Sequence, residues 1–393
     1  MKIALYSPFM AENIGGGERY LLTVAECLLK ENHQVDLIIQ AQAKVNLKQI
    51  KQKFIKGFNL DLTKLNFIFG PFDIHSTARD RLNFTKAYDV FYYMSDGSLF
   101  VPKAKLNAVH FMIPFNKPLP LIQKLKLKTW QVKTANSSFT KDYIEKIWKT
   151  KIDHVHLGSV DSNDFKPLAK KKIILHVGRF FSPTGNKHCK RQDFLVKTFI
   201  KMCNQGLKGW QLILNGPIDK GSDNLAYAKK VAKLAKGYPI TIHHQGSFKT
   251  LQKDYGRAKI YWHATGYGLN EKENPQAVEH LGLTTIESMS AGAVPIVINK
   301  GGQPEIVTHN LNGLLWEKQQ ELINQTIKVI NSPKFSLKLS KNAILRSKDF
   351  SKNIFCPIHW PSIAGVSCQI SDMCLSIPID SRYSSNDMMQ IAA

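Results

Sequence analysis

At 393 residues the chain has room for two domains of ordinary size, each with its own core. Its 43% hydrophobic and 21% charged residues describe a globular protein. No apolar run reaches the length of a membrane span, and the amino terminus enters Lys2-Ile3-Ala4-Leu5-Tyr6-Ser7 without a signal-peptide core, so a cytoplasmic protein is expected. A formal net charge of +24 asks for anionic partners; with no arginine-rich or RNP-like aromatic motif, nucleic acid is set aside in favour of phosphorylated small molecules, acidic polymers or anionic lipid.

Short apolar runs alternate with amphipathic segments, the pattern of parallel sheets covered by helices. In the first half the expected strands are Ile3–Tyr6, Val35–Ile39, Phe67–Phe69, Val90–Met94, Ala108–Phe111 and Lys133–Asn136. After the first of them comes Ile14-Gly15-Gly16-Gly17-Glu18-Arg19-Tyr20, a glycine loop that opens a helix through Leu21 to Glu26. The glycines allow close backbone approach and the helix start offers N–H groups to a phosphate or sugar oxygen. A dinucleotide fingerprint would need a third glycine where Tyr20 stands, which argues against a dehydrogenase. A purely structural turn remains the plainer alternative.

Seven lysines and no acidic residue lie between Lys103 and Lys133, including Lys124-Leu125-Lys126-Leu127-Lys128 before Trp130. Lysine interleaved with apolar residues suits a face that rests on an anionic bilayer, or simply a solvated cationic surface. His110 ends a strand in the same stretch and reads as a core residue or a site residue.

The pattern breaks between Leu157 and Lys170, around Gly158-Ser159-Val160-Asp161-Ser162-Asn163-Asp164 and Pro167, and this is the expected domain boundary. The second half repeats the design with strands at Ile173–Val177, Gln211–Leu214, Ile240–His243, Ile260–His263 and Val294–Ile298. Val177-Gly178-Arg179-Phe180 and then Lys190-Arg191-Gln192-Asp193 place two cations near one cleft, suited to a departing diphosphate. Lys187 is the fallback for Lys190, because the loop from Ser182 to His188 is long. Gln245-Gly246-Ser247-Phe248 follows another strand.

Next come Glu279 and Glu287, with seven residues between them, on either side of Leu281-Gly282-Leu283-Thr284-Thr285. Gly282 permits close ligand approach, and Thr284 or Thr285 can cap a helix that runs to Ala291 and stops at Gly292. Glu287 then reads either as a carboxylate suited to the helix dipole or as a ligand for hydroxyls. Val294–Ile298, Gly301-Gly302 and Pro304-Glu305 give strand, turn and helix entry in close succession.

In this order the elements resemble the retaining glycosyltransferases of family 4, whose mark is a Glu, seven residues, Glu pattern followed by small residues, a buried strand and a Gly-Gly-x-x-Glu turn. The matching positions are Glu279 to Glu287, Ser290-Ala291-Gly292, Val294 to Ile298 and Gly301-Gly302-Gln303-Pro304-Glu305. The Gly-Gly-Gly-Glu-Arg loop and the Arg179 and Lys190 segments are similar to the same family. The resemblance covers about residues 1 to 350. It implies an α/β protein of the GT-B fold, two doubly wound Rossmann-like domains facing an interdomain cleft, with residues 1–160 on the acceptor side, 161–350 binding the donor, and 351–393 an atypical tail.

The activity it implies is metal-independent transfer, with retention, of a hexose from a nucleotide-diphosphate sugar to a glycan or lipid-linked acceptor. No cofactor is implied beyond that co-substrate. Arg179 and Lys190 would bind the diphosphate, Glu279 would position the sugar, Glu287 the ribose, and His110 would lie near the transferred sugar. Gly15, Gly16, Gly17, Gly246, Ser247, Gly282 and Leu283 complete the expected donor contacts. The chain contains no Asp-x-Asp motif of the kind that holds a metal in the other major glycosyltransferase architecture.

A polysaccharide-building enzyme at the inner face of the cytoplasmic membrane fits the lysine stretch. A nucleotide-sugar epimerase on the same fold, or a noncatalytic sugar-nucleotide or anionic-polymer binder, are the alternatives. The last 38 residues, from Cys356, contain no lysine, one arginine and three of the six cysteines, and no crossing helix of the GT-B kind is evident. The cysteines form no Cys-x-x-Cys pair, so reduced thiols are expected.

Overall fold

A computed structural model describes residues 1–10, 15–40, 46–58, 60–184, 188–244 and 246–355. Residues 1–356 form one compact unit. The tail from 356 onward, Lys187 and Gln245 lie outside the described residues.

The first sheet is built from β1 (Lys2–Tyr6), β2 (Gln34–Gln40), β3 (Asn66–Gly70), β4 (Val90–Ser95), β5 (Leu106–Phe111), β6 (Val132–Ala135) and β7 (His154–Val155). Between them run α1 (Gly16–Lys30), α2 (Leu47–Phe58), α3 (Ala78–Thr85), α4 (Leu121–Leu127) and α5 (Ser138–Trp148). All strand pairs are parallel, in the order β3-β2-β1-β4-β5-β6-β7. β4 is buried at all six positions because helices cover both faces of a central parallel strand. Phe91, Tyr93, Phe111, Trp130 and Trp148 fill one side of this sheet.

The second sheet holds β8 (Lys171–Val177), β9 (Gln211–Asn215), β10 (Ile240–His243), β11 (Ala258–His263), β12 (Val294–Ile298) and β13 (Leu314–Trp316). Its helices are α6 (Gln192–Asn204), α7 (Ser222–Ala235), α8 (Phe248–Arg257), α9 (Leu283–Ser290), α10 (Gln303–Ile306), α11 (Gln319–Asn331) and α12 (Pro333–Ser347). It too is wholly parallel, ordered β10-β9-β8-β11-β12-β13. Phe199, Trp262 and Trp316 pack on one face, and Phe165, Tyr255, Tyr261 and Met289 on the other. Each fully buried aromatic or aliphatic side chain contributes on the order of 1.5–3 kcal/mol, so both faces are needed to hold the sheet.

In each sheet the strand order reverses at the first strand, β1 in one and β8 in the other. Ligands of open parallel sheets bind outside the carboxyl ends of the strands at such a reversal. The loops after β1, β8 and β11 therefore frame the site. The edge strands β7 and β13 were not among the expected strands.

After α12 the chain turns back toward the first sheet. Phe350 O accepts a bond from Val160 N at 2.8 Å. A short helix, α13 (Lys352–Phe355), follows. Lys352 Nζ bridges Glu26 Oε2 on α1 (3.1 Å) and Asp161 Oδ2 (3.3 Å), and the Phe355 ring stacks on His156 with centroids 4.3 Å apart. This segment supplies the crossing that the sequence did not reveal. Two other expectations need correction. Trp130 does not flank a surface; it is fully buried and its Nε1 donates to Phe100 O at 3.1 Å. Cys27 is disulfide-bonded, whereas Cys189 and Cys203 are free thiols.

Candidate active site

The glycine loop and the second-sheet loops meet in one cleft. A Cβ placed on Gly15 would lie 3.0 Å from Arg179 Nη2, and one on Gly16 would lie 3.5 Å from Leu283 Cδ1. Gly15 is the cap of α1, so Gly16 and Gly17 already belong to its first turn, with their N–H groups at the amino end of a 15-residue helix. Gly17 faces Met94 and Met112 of its own half.

Glu279 follows β11 and sits among cations and imidazoles. Lys190 Nζ is 2.6 Å from its Oε2, His263 Nε2 is 3.2 Å away and His188 Nε2 is 3.6 Å away. Burial pushes the Glu279 carboxyl up; Lys190 and then His188 and His263 outweigh it, and the group sits well below the usual carboxylate range. Burial also lowers the rings: His188 and His263 fall below the usual imidazole value against the opposing pull of Glu279, and His176 and His280 are pushed down to about 3. The His188 and His280 rings stack 5.1 Å apart. Arg179 lies over the Phe181 ring, 5.1 Å from its centroid, with Asp219 Oδ1 3.9 Å from Nη1. Lys190 lies in the cleft through its contact with Glu279.

The position of Glu279 is fixed from below by the glycine turn. Gly302 N donates to Glu279 O at 2.8 Å, and a Cβ on Gly301 or Gly302 would lie 2.0 Å from Glu279 O or 2.2 Å from His280 O. Gly301 also has φ +60°, a conformation that disfavours a side chain.

α9 starts at Leu283 with Gly282 at its cap, φ +109°, so neither Thr284 nor Thr285 caps it. Instead Tyr261 Oη donates to Thr284 Oγ1 at 2.8 Å, and Thr285 Oγ1 donates to Gln303 Oε1 at 2.9 Å. Glu287 stands a full turn inside α9. Its Oε1 is 2.6 Å from Arg19 Nη1 and its Oε2 accepts from Tyr255 Oη at 2.7 Å, so it is not a capping carboxylate. Burial raises its carboxyl, with Arg19 and Tyr255 opposing.

Gly246 and Ser247 follow β10; Ser247 Oγ caps α8, accepting from Thr250 N at 3.2 Å. His110 is fully buried in the first half, its Nδ1 2.8 Å from Thr134 Oγ1 and its ring stacked on Tyr20 at 4.4 Å. Its described partners all belong to that half.

Residues that sequence reasoning did not assign complete the cleft, among them Arg19, His188, His263 and Glu305. Glu305 crosses between the halves, accepting from Ser138 N (2.8 Å) and Phe139 N (2.7 Å) at the start of α5. Arg19 and Glu305 were visible only as members of quoted motifs, since their partners lie 268 and 166 or more residues away in the chain. Among the described residues no group of three or more His, Cys, Asp or Glu side chains is arranged to hold a metal ion.

Residues 160–346 match the family described as glycosyl transferases group 1. Among curated proteins none matches the chain in sequence. Solved structures of similar fold include a glycosyltransferase from Rickettsia africae ESF-5, 18% identical, with a TM-score of 0.69 over 90% of this chain and 95% of that one. HepE from Anabaena, solved with UDP-glucose, is 16% identical with a TM-score of 0.67 over 95% of this chain and 99% of its own. The sucrose-phosphate synthase of Thermosynechococcus elongatus is 17% identical, TM-score 0.66, over 90% and 96%. These likenesses establish the two-domain GT-B fold.

Proposed function

We propose that the chain, whose residues 160–346 match the family described as glycosyl transferases group 1, is a glycosyltransferase that moves a hexose, with retention and without a metal, from a nucleotide-diphosphate sugar to a glycan or lipid-linked acceptor. The observation that carries this reading is the meeting of Arg179, the Lys190–Glu279 pair and the Gly15–Gly17 helix start in one cleft. Fold neighbours solved with UDP and UDP-glucose support the donor class.

In this proposal the diphosphate lies between Arg179, Lys190 and the N–H groups of Gly282 and Leu283, where preorganised donors stabilise charge as it develops. The bond between the sugar C1 and the diphosphate oxygen breaks. The acceptor hydroxyl bonds to C1 from the same face, and its proton leaves with the diphosphate. Glu279, ionised and held by Lys190 and His263, orients the sugar hydroxyls. Glu287 accepts the ribose hydroxyls, and Gly246 and Ser247 flank the base. His110, beneath Tyr20, supports the first-half wall.

The test is a panel of UDP-, GDP- and ADP-sugars in a thermal-shift assay, followed by donor hydrolysis or transfer. Selective stabilisation by one nucleotide sugar is expected. No stabilisation or turnover by any of them, with Glu287→Ala indistinguishable from the parent, would sink the reading.

We further propose that the enzyme works at an anionic membrane surface. Among the described residues no helix is long and apolar enough to cross a membrane. On α4, however, Leu121, Ile122 and Leu125 are 74%, 67% and 56% exposed beside exposed Lys124 and Lys128. Apolar insertion plus lysine attraction suits the headgroup boundary of a bilayer. Sedimentation with vesicles of anionic lipid, weakened by salt and by Leu121→Glu with Leu125→Glu, is expected; no binding at low salt refutes it.

A further inference from the structure

The donor-side carboxylate Glu287 takes its main partner from the opposite half of the molecule. Arg19 on α1 reaches across so that Nη1 lies 2.6 Å from Glu287 Oε1, and only 9% of Arg19 and 6% of Glu287 remain exposed. The guanidinium is seated over the Phe165 ring, 5.7 Å from its centroid, and its Nη2 is 3.8 Å from Asp164 Oδ2. On the other side Tyr255 Oη donates to Glu287 Oε2.

A carboxylate oxygen accepts two hydrogen bonds. Arg19 uses one site on Oε1 and Tyr255 one on Oε2, which leaves one on each oxygen, the number a vicinal diol requires. A buried carboxylate keeps its charge only beside a cation. Arg19 from α1, Asp164 between the sheets, Tyr255 from α8 and Tyr261 from β11 face Glu287, and of these Arg19 is the cation. It is delivered by the first half, so it reaches Glu287 only when the two halves stand as they do here.

We propose that Arg19 is a positioning residue for the nucleotide ribose: by pairing with Glu287 across the cleft it fixes the carboxylate plane and keeps it ionised, coupling donor binding to interdomain closure. The inference rests on the donor-site reading above. Coupling of this kind is reciprocal, so bound donor favours the closed arrangement as strongly as closure favours donor.

The full chain is titrated calorimetrically with UDP and with the nucleotide sugar that stabilises it in the panel. Arg19→Gln is expected to weaken binding by about ten-fold at neutral pH, the order that a charge-assisted hydrogen bond commands, with partial recovery as the pH rises and Glu287 ionises unaided. Arg19→Lys, which retains the charge but not the planar fork seated over Phe165, controls for folding and is expected to bind more tightly than Arg19→Gln and more weakly than the parent. Because Arg19 acts through Glu287, the double variant Arg19→Gln with Glu287→Gln binds no more weakly than Glu287→Gln alone.

Additive losses overturn the proposal. So does unchanged or tighter binding by Arg19→Gln, the latter meaning that Arg19 competes with the ribose for Glu287. If the parent binds no nucleotide, the donor reading falls and this proposal with it; a binding parent with an indifferent Arg19→Gln removes only the role of Arg19.

Discussion

Replacing Glu305 by alanine is expected to open the enzyme without unfolding either half. The Glu305 carboxylate accepts Ser138 N at 2.8 Å and Phe139 N at 2.7 Å, the first two N–H groups of an 11-residue helix in the other half. Losing a helix-terminal acceptor costs about 1 kcal/mol, and removing a negative charge from the positive end of the helix dipole about 1 kcal/mol more in a partly buried setting. A loss of about 2 kcal/mol lowers the closed-to-open ratio by about thirty-fold, and the closed population by the same factor where the closed form is the minor one. Donor kcat/KM should fall by the same factor, with the urea midpoints of the two halves nearly unchanged. The assay is steady-state transfer at limiting donor, run beside Glu305→Gln. The glutamine keeps one oxygen and should lose about half as much free energy. A Glu305→Ala kcat/KM within about three-fold of the parent would refute the reasoning, because the contact would then carry no closure energy.

Lys190→Ala is expected to lower kcat by about 10²–10³ and to lower the melting temperature, since it strands the buried Glu279 carboxylate and, in the proposed mechanism, removes a cation from the diphosphate; near-parental kcat would remove Lys190 from the chemistry. Gly302→Ala places a methyl against His280 O, at 2.2 Å, and should cost about 1–3 kcal/mol of stability together with donor affinity, measured by urea unfolding and UDP titration. Buried neutral histidines make the fold acid-sensitive early. His156 is lowered to about 4 and His176 and His280 to about 3, each mainly by burial. Their unfolded counterparts begin to bind protons near pH 6.5, so stability is full above that pH and declines as the pH falls toward the folded values, by up to about 1.4 kcal/mol per unit for each group. A melting temperature constant from about pH 7 to pH 5 contradicts this assignment.

The strand centres were legible because each is an apolar run bounded by turns. β7 and β13 escaped because two and three residues at a sheet edge carry no period of their own. The return of the chain through Lys352 and Phe355 was illegible for a related reason: one lysine and one phenylalanine acquire meaning only against Glu26, Asp161 and His156. In the candidate site, Glu279, Arg179 and Lys190 were read from motif order, and the structure brings them to one cleft. Arg19 and Glu305 stood inside the quoted motifs without a role, since each is defined by a partner in the other half. The threonines after Gly282 were misread as caps because composition alone cannot show that Gly282 itself begins the helix and that both hydroxyls are engaged elsewhere. His188 and His263 carried no signal, as single histidines seldom do.

The glycine pair under Glu279 and His280 also bears on how such a site changes over time. Gly301 and Gly302 press against the main chain of those residues, not against their side chains. The path of the backbone through the pocket is thus set independently of what that backbone displays. In the proposed donor site, exchanges at 279, 280, 281 and 283 would alter which hydroxyls are recognised while the scaffold beneath them keeps its shape. Exchange of either glycine would disturb every displayed group together. Directed evolution toward a different sugar should therefore accumulate its changes in the upper layer and leave the lower one untouched.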